Sequence, residues 1–578
     1  MGDVLFLALR RLRAPLISVI CVYAITIAGL TLIPGMDATG NAAPLSFFHA
    51  FYVTTYTATS LGFGEIPNPF TDAQRLWITL SIYLSVVAWA YSLGTIIALT
   101  SDATFRAMLA RSVFNWRARG VAEPFYLICG YGQSGAALAR ALDGHGARVI
   151  VIEPRPERVA HIVLEDYVTP PLAIAADARI AGVLEDCGIR RPHCAGLIAL
   201  AGDDAVNLAI AIGARVLNPE LPIVARAKSH ETARNLAAFE GVRVLNPFTT
   251  FAENLHLAIS APEVLRAEEW LTAAPGTPCP ALLRVPRGRW VLAGFGRFGH
   301  AIGEVLDAAG IEWSAFDPQV TRADGARLIR GGHTEEVLRE AGIEQADVLV
   351  AGAALDAINL GITMLARHLR PDLFVVIRQN HAQDRALIEA AHADVEFVQA
   401  GLIVHESLQI LYTPMLGRFI THLRKAETGL AQAVITRVHD AAGEGAPLAW
   451  TFECDVMQAG MFGAFFQSTG APLCVGHLRA DPVSPEERLL TTALMLERAG
   501  EPVLLPDDAT VLKPGDRILF VGDERARRQQ ARYLYEPGTV TRVCSGQEPP
   551  RSALFRWWQR RAAAGAGANT GTTASVEK

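Results

Sequence analysis

Two runs of the sequence, Pro15 to Ile33 and Trp77 to Leu99, contain no charged residue. Each is about 20 residues, enough for an α-helix to cross a hydrocarbon core of about 30 Å. A secretory leader would have a shorter apolar stretch and a small-residue cleavage site. Here the first run is longer and a second follows it, so both are read as membrane helices. Arg10, Arg11 and Arg13 precede the first run. Arg106, Arg111, Arg117 and Arg119 follow the second, and only Arg75 lies between them. Because positive charge stays on the cytoplasmic side, this places a multi-pass protein in the cell membrane with both termini in the cytoplasm. Everything after about residue 100 is then expected to be cytoplasmic.

The stretch between the two runs is not an ordinary polar loop. Pro44 to Thr57 is apolar and aromatic, long enough for about half a crossing as a helix. It runs directly into Thr57-Ala58-Thr59-Ser60-Leu61-Gly62-Phe63-Gly64-Glu65-Ile66-Pro67. Non-helical backbone at membrane depth is tolerated only when buried in protein or lining a water-filled path. Two glycines one residue apart permit backbone conformations that let successive carbonyls point to one side.

This segment resembles the potassium-channel filter signature T-x-T-T-V-G-Y-G-D. Thr57, Thr59, Gly62 and Gly64 match it, and Ser60, Leu61, Phe63 and Glu65 are conservative departures. Ser60 keeps a hydroxyl at the inner filter position, whereas Phe63 loses the tyrosine hydroxyl that would tie the filter to its surrounding helices. The resemblance implies a selectivity filter of Thr59, Ser60, Leu61, Gly62, Phe63 and Gly64. It places K+ against the carbonyls of Ser60, Leu61, Gly62 and Phe63 and the Ser60 hydroxyl, in a pore ringed by four subunits. In two-helix channels the position of Gly94 is a gating hinge; close helix packing is the competing reading.

A second kind of signal follows. Phe125 to Cys129 reads as a buried strand, followed by Gly130-Tyr131-Gly132-Gln133-Ser134-Gly135, a helix, and a strand from Arg148 that ends at Glu153. Strand, G-x-G-x-x-G, helix, strand and acid form the dinucleotide fingerprint. The glycines let phosphate approach a helix N-terminus, and the acid meets a ribose diol. The pattern returns in Trp290 to Ala293, Gly294-Phe295-Gly296-Arg297-Phe298-Gly299 and Asp317. Gly130 to Gly294 and Glu153 to Asp317 are both offsets of 164 residues, which marks two copies of one unit.

The duplication, over about 125–250 and 288–400, resembles the RCK family (regulators of potassium conductance). Asp177 matches that family's acid at the end of the third strand, and the corresponding position in the second copy is Gly331. The resemblance implies nucleotide sites at Gly130, Gly132, Gln133, Ser134, Gly135, Glu153 and Asp177, and at Gly294, Gly296, Arg297, Gly299 and Asp317. The second site is expected to bind differently or not at all. Pro502 to Gly522 resembles the C-terminal subdomain of RCK proteins, where a Lys-Pro-Gly-Asp turn joins two strands of a small sheet.

The expected architecture is a membrane α-helical pore domain, two membrane helices plus a pore helix, joined to α/β Rossmann-like doubly wound RCK domains with a small α+β C-terminal subdomain. Its expected bounds are a pore domain over 1–105, a linker over 106–124, a first RCK domain with connecting helices over 125–287, a second over 288–424, a C-terminal subdomain over 425–535 and a tail over 536–578. The chain is too long for a single core. Its formal net charge of −6 gives no electrostatic reason to expect nucleic acid. The eight cysteines are scattered without zinc spacing.

The function expected from the resemblance is a homotetrameric, ligand-gated potassium channel in a lipid bilayer, not an enzyme. Its regulatory ligand is NAD(H) or an adenine nucleotide, because Glu153 and Asp317 favour an unphosphorylated ribose. Calcium gating occurs in similar channels, although no oxygen-ligand loop of the required spacing is present. The competing readings are a weakly selective cation channel, a regulatory component of a potassium uptake transporter, which would lack spans of its own, and a membrane-tethered dehydrogenase, for which no His or Lys constellation is found.

Overall fold

The computed structural model describes residues 2–37, 41–59, 61–320, 327–426, 428–454, 472–536 and 539–545. The filter position Ser60, the tail beyond 545 and its basic aromatic segment Arg556 to Arg561 lie outside the described residues.

Four helices open the chain: α1 (Gly2–Leu32), α2 (Phe47–Ala58), α3 (Asp72–Ser101) and α4 (Ala103–Arg119). Ala8–Leu32 and Asp72–Ser101 are long and apolar enough to cross a membrane. Their ends are set by local chemistry. Ser46 caps α2 by accepting from the His49 amide, and Thr71 and Gln74 form a reciprocal capping box at the start of α3. Trp77 fixes α3 on α1. Its indole lies where a Cβ on Gly29 would stand, and its N–H donates to the Thr26 carbonyl at 3.2 Å. The short helix α2 packs against the two through one face, Ala50, Val53 and Tyr56, while Phe47, Phe48 and Phe51 are exposed.

α3 and α4 are separated by one residue. Asp102 is at once the C-cap of α3 and the N-cap of α4; its carboxylate accepts from the amides of Thr104 (2.8 Å) and Phe105 (3.2 Å) and from Arg11 at 2.6 Å. The far end of α4 is sunk into the next unit. Phe114 and Ala118 join its core, Arg111 pairs with Asp186, and Arg191 donates to the carbonyls of Ala118 (2.6 Å) and Val121 (2.5 Å). The stretch read as a linker is therefore mostly a docked helix.

Two six-stranded parallel sheets follow. In spatial order the first runs Leu172–Ala175, Arg148–Glu153, Phe125–Cys129, Cys194–Ala199, Ile223–Arg226 and Val242–Leu245. The second runs Leu328–Ile329, Trp313–Phe316, Trp290–Ala293, Val348–Ala351, Phe374–Gln379 and Val395–Val398. Both have the strand order 3-2-1-4-5-6, the doubly wound dinucleotide-binding topology. Their central strands are apolar and buried on both faces, as parallel sheets require.

The units are joined by a reciprocal exchange of helices. Pro247–Ser260, which follows the first sheet, packs on Arg297–Ala308 of the second unit, with Phe251 and Phe298 rings 5.5 Å apart. Gln399–Leu411, which follows the second sheet, packs on Gln133–Gly144 of the first through Ile403 and Leu408. Each unit thus braces the helix that opens the other's glycine turn. The helices Pro262–Thr272 and Pro414–Lys425 close the joint, where Arg424 forms a bidentate pair with buried Glu268 at 2.7 and 2.8 Å.

The C-terminal part is a four-stranded antiparallel sheet in the order Leu448–Glu453, Arg517–Gly522, Thr491–Arg498, Glu501–Leu504. The strands on either side of the Lys513-Pro514-Gly515-Asp516 turn are not neighbours; Thr491–Arg498 lies between them. Asp516 holds that turn by accepting from the Lys513 amide at 2.8 Å and from Arg498 at 2.6 and 2.9 Å.

Candidate functional site

The first glycine turn is shaped by close backbone approach. Gly130 has φ +104°, and a Cβ on Gly135 would stand 2.1 Å from the Gly130 carbonyl oxygen, so a side chain at Gly135 would displace the turn. The helix begins at Gln133, with Gly132 as an N-cap that offers no side-chain acceptor. Its first amides are therefore free for an anionic ligand. Glu153 is buried at the end of the second strand. One carboxylate oxygen accepts the Tyr131 amide at 2.7 Å, and the other accepts the Arg155 amide at 3.3 Å and its Nε at 3.0 Å. Asp177, half-buried at the end of the third strand, is held below its usual carboxylate range by the forked contact with Arg179.

These residues line a cavity of about 630 Å³, within the range of small-molecule sites. Gly130, Gly132, Gln133, Ser134, Glu153 and Asp177 form one wall. The other wall comes from residues that the sequence reading did not single out. Arg226 and Lys228 rise from the end of the fifth strand, and Asn380, His381, Arg385 and Gln399 come from the second unit. Arg226 is buried; it donates to the Ala201 carbonyl at 2.6 Å, while its Nε has no partner. Burial, followed by the nearby Arg226, Arg297 and Arg378, lowers the Lys228 pKa. The wall that carries Arg226 and Lys228 is positive, suited to phosphate. The signal for these residues was the duplication itself, since Arg226 and Lys228 have counterparts Arg378 and Asn380 at a constant offset of 152.

The second turn repeats the backbone chemistry. Asp317 accepts the Phe295 amide at 2.9 Å and the Gln319 amide at 2.7 Å, as Glu153 does for Tyr131 and Arg155. Gly294 has φ +98°, and Arg297 is exposed at the helix start. Position 331 differs in kind from position 177. A Cβ on Gly331 would lie 2.6 Å from a Val337 methyl. Ile329 pairs with Phe316 as Ile174 pairs with Ile152, so the structure sets Gly332, one residue beyond the expected Gly331, at the place of Asp177, and neither position carries an acid. Asp356, His381 and Asp384 bring ligand-type atoms within 4.8 Å of one another. Asp356, however, accepts the amides of Asn380 and His381, and Asp204 does the same for Lys228 and Ser229. The carboxylate therefore serves a duplicated turn, and nothing further there points to calcium.

In the membrane part, α2 ends at Thr59 and the chain leaves the helix. Leu61 to Gly64 are non-helical, with φ +63° at Gly62 and +89° at Gly64. Leu61 and Phe63 are exposed on the single chain. Gly94 lies within unbroken α3, and apart from its chain neighbours and the helix's own backbone no atom is within 4 Å of where its Cβ would be.

Fold and site together define a two-span membrane unit with a re-entrant glycine loop, carried in one chain with a pair of dinucleotide-type Rossmann units. Both Rossmann units match the TrkA-N domain, over residues 126–247 and 290–398. Potassium channel protein 1 of Methanocaldococcus jannaschii is 29% identical over 191 residues, 33% of this chain and 55% of that protein. Probable potassium channel protein 2 of the same organism is 28% identical over 221 residues, 38% of this chain and 59% of that protein. An uncharacterised protein of Methanothermus fervidus is 27% identical over 245 residues, 42% of this chain and 37% of that protein. The chain thus spans between about a third and three fifths of these relatives. Among solved structures, the GsuK channel aligns over 91% of this chain and 99% of its own, at 16% identity and a TM-score of 0.48.

Proposed function

We propose that this chain is one subunit of a homotetrameric potassium channel whose opening is set by a nucleotide bound to its cytoplasmic Rossmann units. The observation that carries this reading is the half-length helix α2, packed by one face against the two spans and followed by a non-helical double-glycine segment. Such backbone at membrane depth must be buried in protein or line a water-filled path, and four copies around one axis supply such a path. The potassium-channel names of two matched relatives support the choice of ion.

The ligand reading rests on the shared cavity. A nucleotide whose phosphates meet the amides of Gln133 and Ser134, and whose ribose meets Glu153, would also touch Asn380, His381 and Arg385 of the second unit. A ligand held by both units favours the arrangement in which both walls reach it, and this differential contact is what shifts a two-state equilibrium. Coupling of this kind is typically about 1–3 kcal/mol. α4, docked on the first unit and joined to α3 through Asp102, is the route to the pore. Both termini then lie in the cytoplasm.

The test is single-channel recording of the purified protein in planar bilayers under a potassium/sodium gradient, with NAD or ADP on the cytoplasmic side. The expected result is a reversal potential near the potassium equilibrium value and an open probability that changes with nucleotide. A reversal near zero would discard potassium selectivity. Current indifferent to every nucleotide would discard the gating role.

A further inference from the structure

The outer end of the re-entrant segment is held by side chains outside the six filter positions. Gly62 and Gly64 have positive φ, and no atom beyond the adjoining residues lies within 4 Å of either missing Cβ, so packing alone leaves this backbone free to turn. Phe63, between them, has no hydroxyl to anchor it. Tyr56, buried on α2, takes that part: its hydroxyl donates to the Gly64 carbonyl oxygen. Its ring meets Phe63 edge-on with centroids 5.7 Å apart, and Tyr52, four residues earlier on the same helix face, stacks on Phe63 at 6.3 Å and 5°. On the other side Glu65 accepts the Phe70 amide at 2.9 Å and a fork from Arg75, in the first turn of α3, at 2.8 and 3.1 Å. Residues 63, 64 and 65 are therefore gripped in turn by aromatic rings, a hydroxyl and an ion pair.

We infer that Tyr56, together with the Glu65–Arg75 pair, is a positioning group for ion selection. The Tyr56 hydroxyl turns the Gly64 carbonyl toward the pore helix, so the carbonyls left to face the ion path end at Phe63. A hydroxyl from the pore helix thus does the anchoring for which Phe63 has no group. This inference rests on the channel reading, and the experiment separates the two. Wild type, Tyr56→Phe, Arg75→Gln and Arg75→Lys are compared as full-length protein in bilayers under a potassium/sodium gradient, after size-exclusion chromatography has confirmed assembly. Tyr56→Phe deletes one hydroxyl and is expected to raise sodium permeability relative to potassium by about threefold to tenfold, the range that one hydrogen bond covers. Arg75→Gln is expected to raise it less, and Arg75→Lys to keep the wild-type ratio, while nucleotide affinity stays unchanged in all three. Should Tyr56→Phe not assemble, the Arg75→Gln and Arg75→Lys pair carries the same test. An unmoved ratio in assembled, conducting Tyr56→Phe and Arg75→Gln proteins overturns the positioning role, whereas a silent wild type overturns the channel reading itself.

Discussion

The two Rossmann units share a frame but not a surface. Asn207 accepts the Ala201 amide and donates to the carbonyls of Ala201 and Arg226; Asn359 does the same with Ala353 and Arg378. Each acid at the end of the second strand accepts the amide of the residue between the first two glycines. The units part where a ligand would lie. The first has Asp177, Arg226 and Lys228 beneath a roof supplied by the second, while the second has Gly331 and Gly332 where the first has an acid, and an exposed Arg297. Duplication preserved the hydrogen bonds that hold the backbone and let the ligand-facing side chains diverge. The groups that build a turn and those that read a ligand can therefore be separated by comparing a protein with itself.

The comparison is broken most forcefully at the turns. Gly135→Ala drives a Cβ against the Gly130 carbonyl and Gly299→Ala drives one to 2.4 Å from that of Gly294. Each is expected to cost about 3 kcal/mol in thermal unfolding, but only Gly135→Ala should abolish nucleotide binding by calorimetry. Asn207→Ala and Asn359→Ala each remove three hydrogen bonds from a buried site. They should cost similar amounts, about 2–3 kcal/mol, and unequal losses would show that the frames are not equivalent. Glu153→Gln should weaken nucleotide binding by about tenfold or more, the worth of a hydrogen bond to a charged group, whereas Asp317→Asn leaves it unchanged. A loss in the second variant would assign a ligand to the second unit.

The smallest expected effect lies at the joint. Glu406 is on the helix that follows the second sheet, at the position of Asn254 after the first, an offset of 152. Burial raises its pKa from 4.5 to about 7, and Glu268 and Glu253 add to this against the opposing pull of Arg424. The folded state therefore holds a proton that the unfolded chain releases. Stability should fall as pH rises from about 4.5 through about 7. Glu406→Gln should flatten that slope and gain about 1–2 kcal/mol at pH 8, read as the denaturation midpoint across pH.

What sequence reading reached was local. The uncharged runs, the glycine turns, the two acids and the departure at Gly331 all lie in short stretches whose spacing carries their chemistry. Glu153 is 22 residues from the amide it accepts, and the fingerprint encodes that distance. The second wall of the cavity was not legible, because His381 and Arg385 come from a strand end about 250 residues from Gly130, brought there by the helix exchange. Tyr56 was hidden for a different reason. A tyrosine in an apolar helix reads as core, and only the fold back at Gly64 gives its hydroxyl an acceptor. The Lys513 to Asp516 turn was recognised, but not that an earlier strand, Thr491–Arg498, separates its flanking strands.

The single residue between α3 and α4 governs how motion would travel. A flexible tether stores slack, and its far end must move some distance before the near end responds. Asp102 leaves almost no slack, because it caps both helices and is pinned by Arg11. On the channel reading, each cytoplasmic unit drives its inner pore helix as a crank drives a shaft, without backlash. Small rearrangements of the ligand cleft would then reach the membrane undiminished, and a few glycines inserted after Asp102 would let the ring turn while the pore stood still.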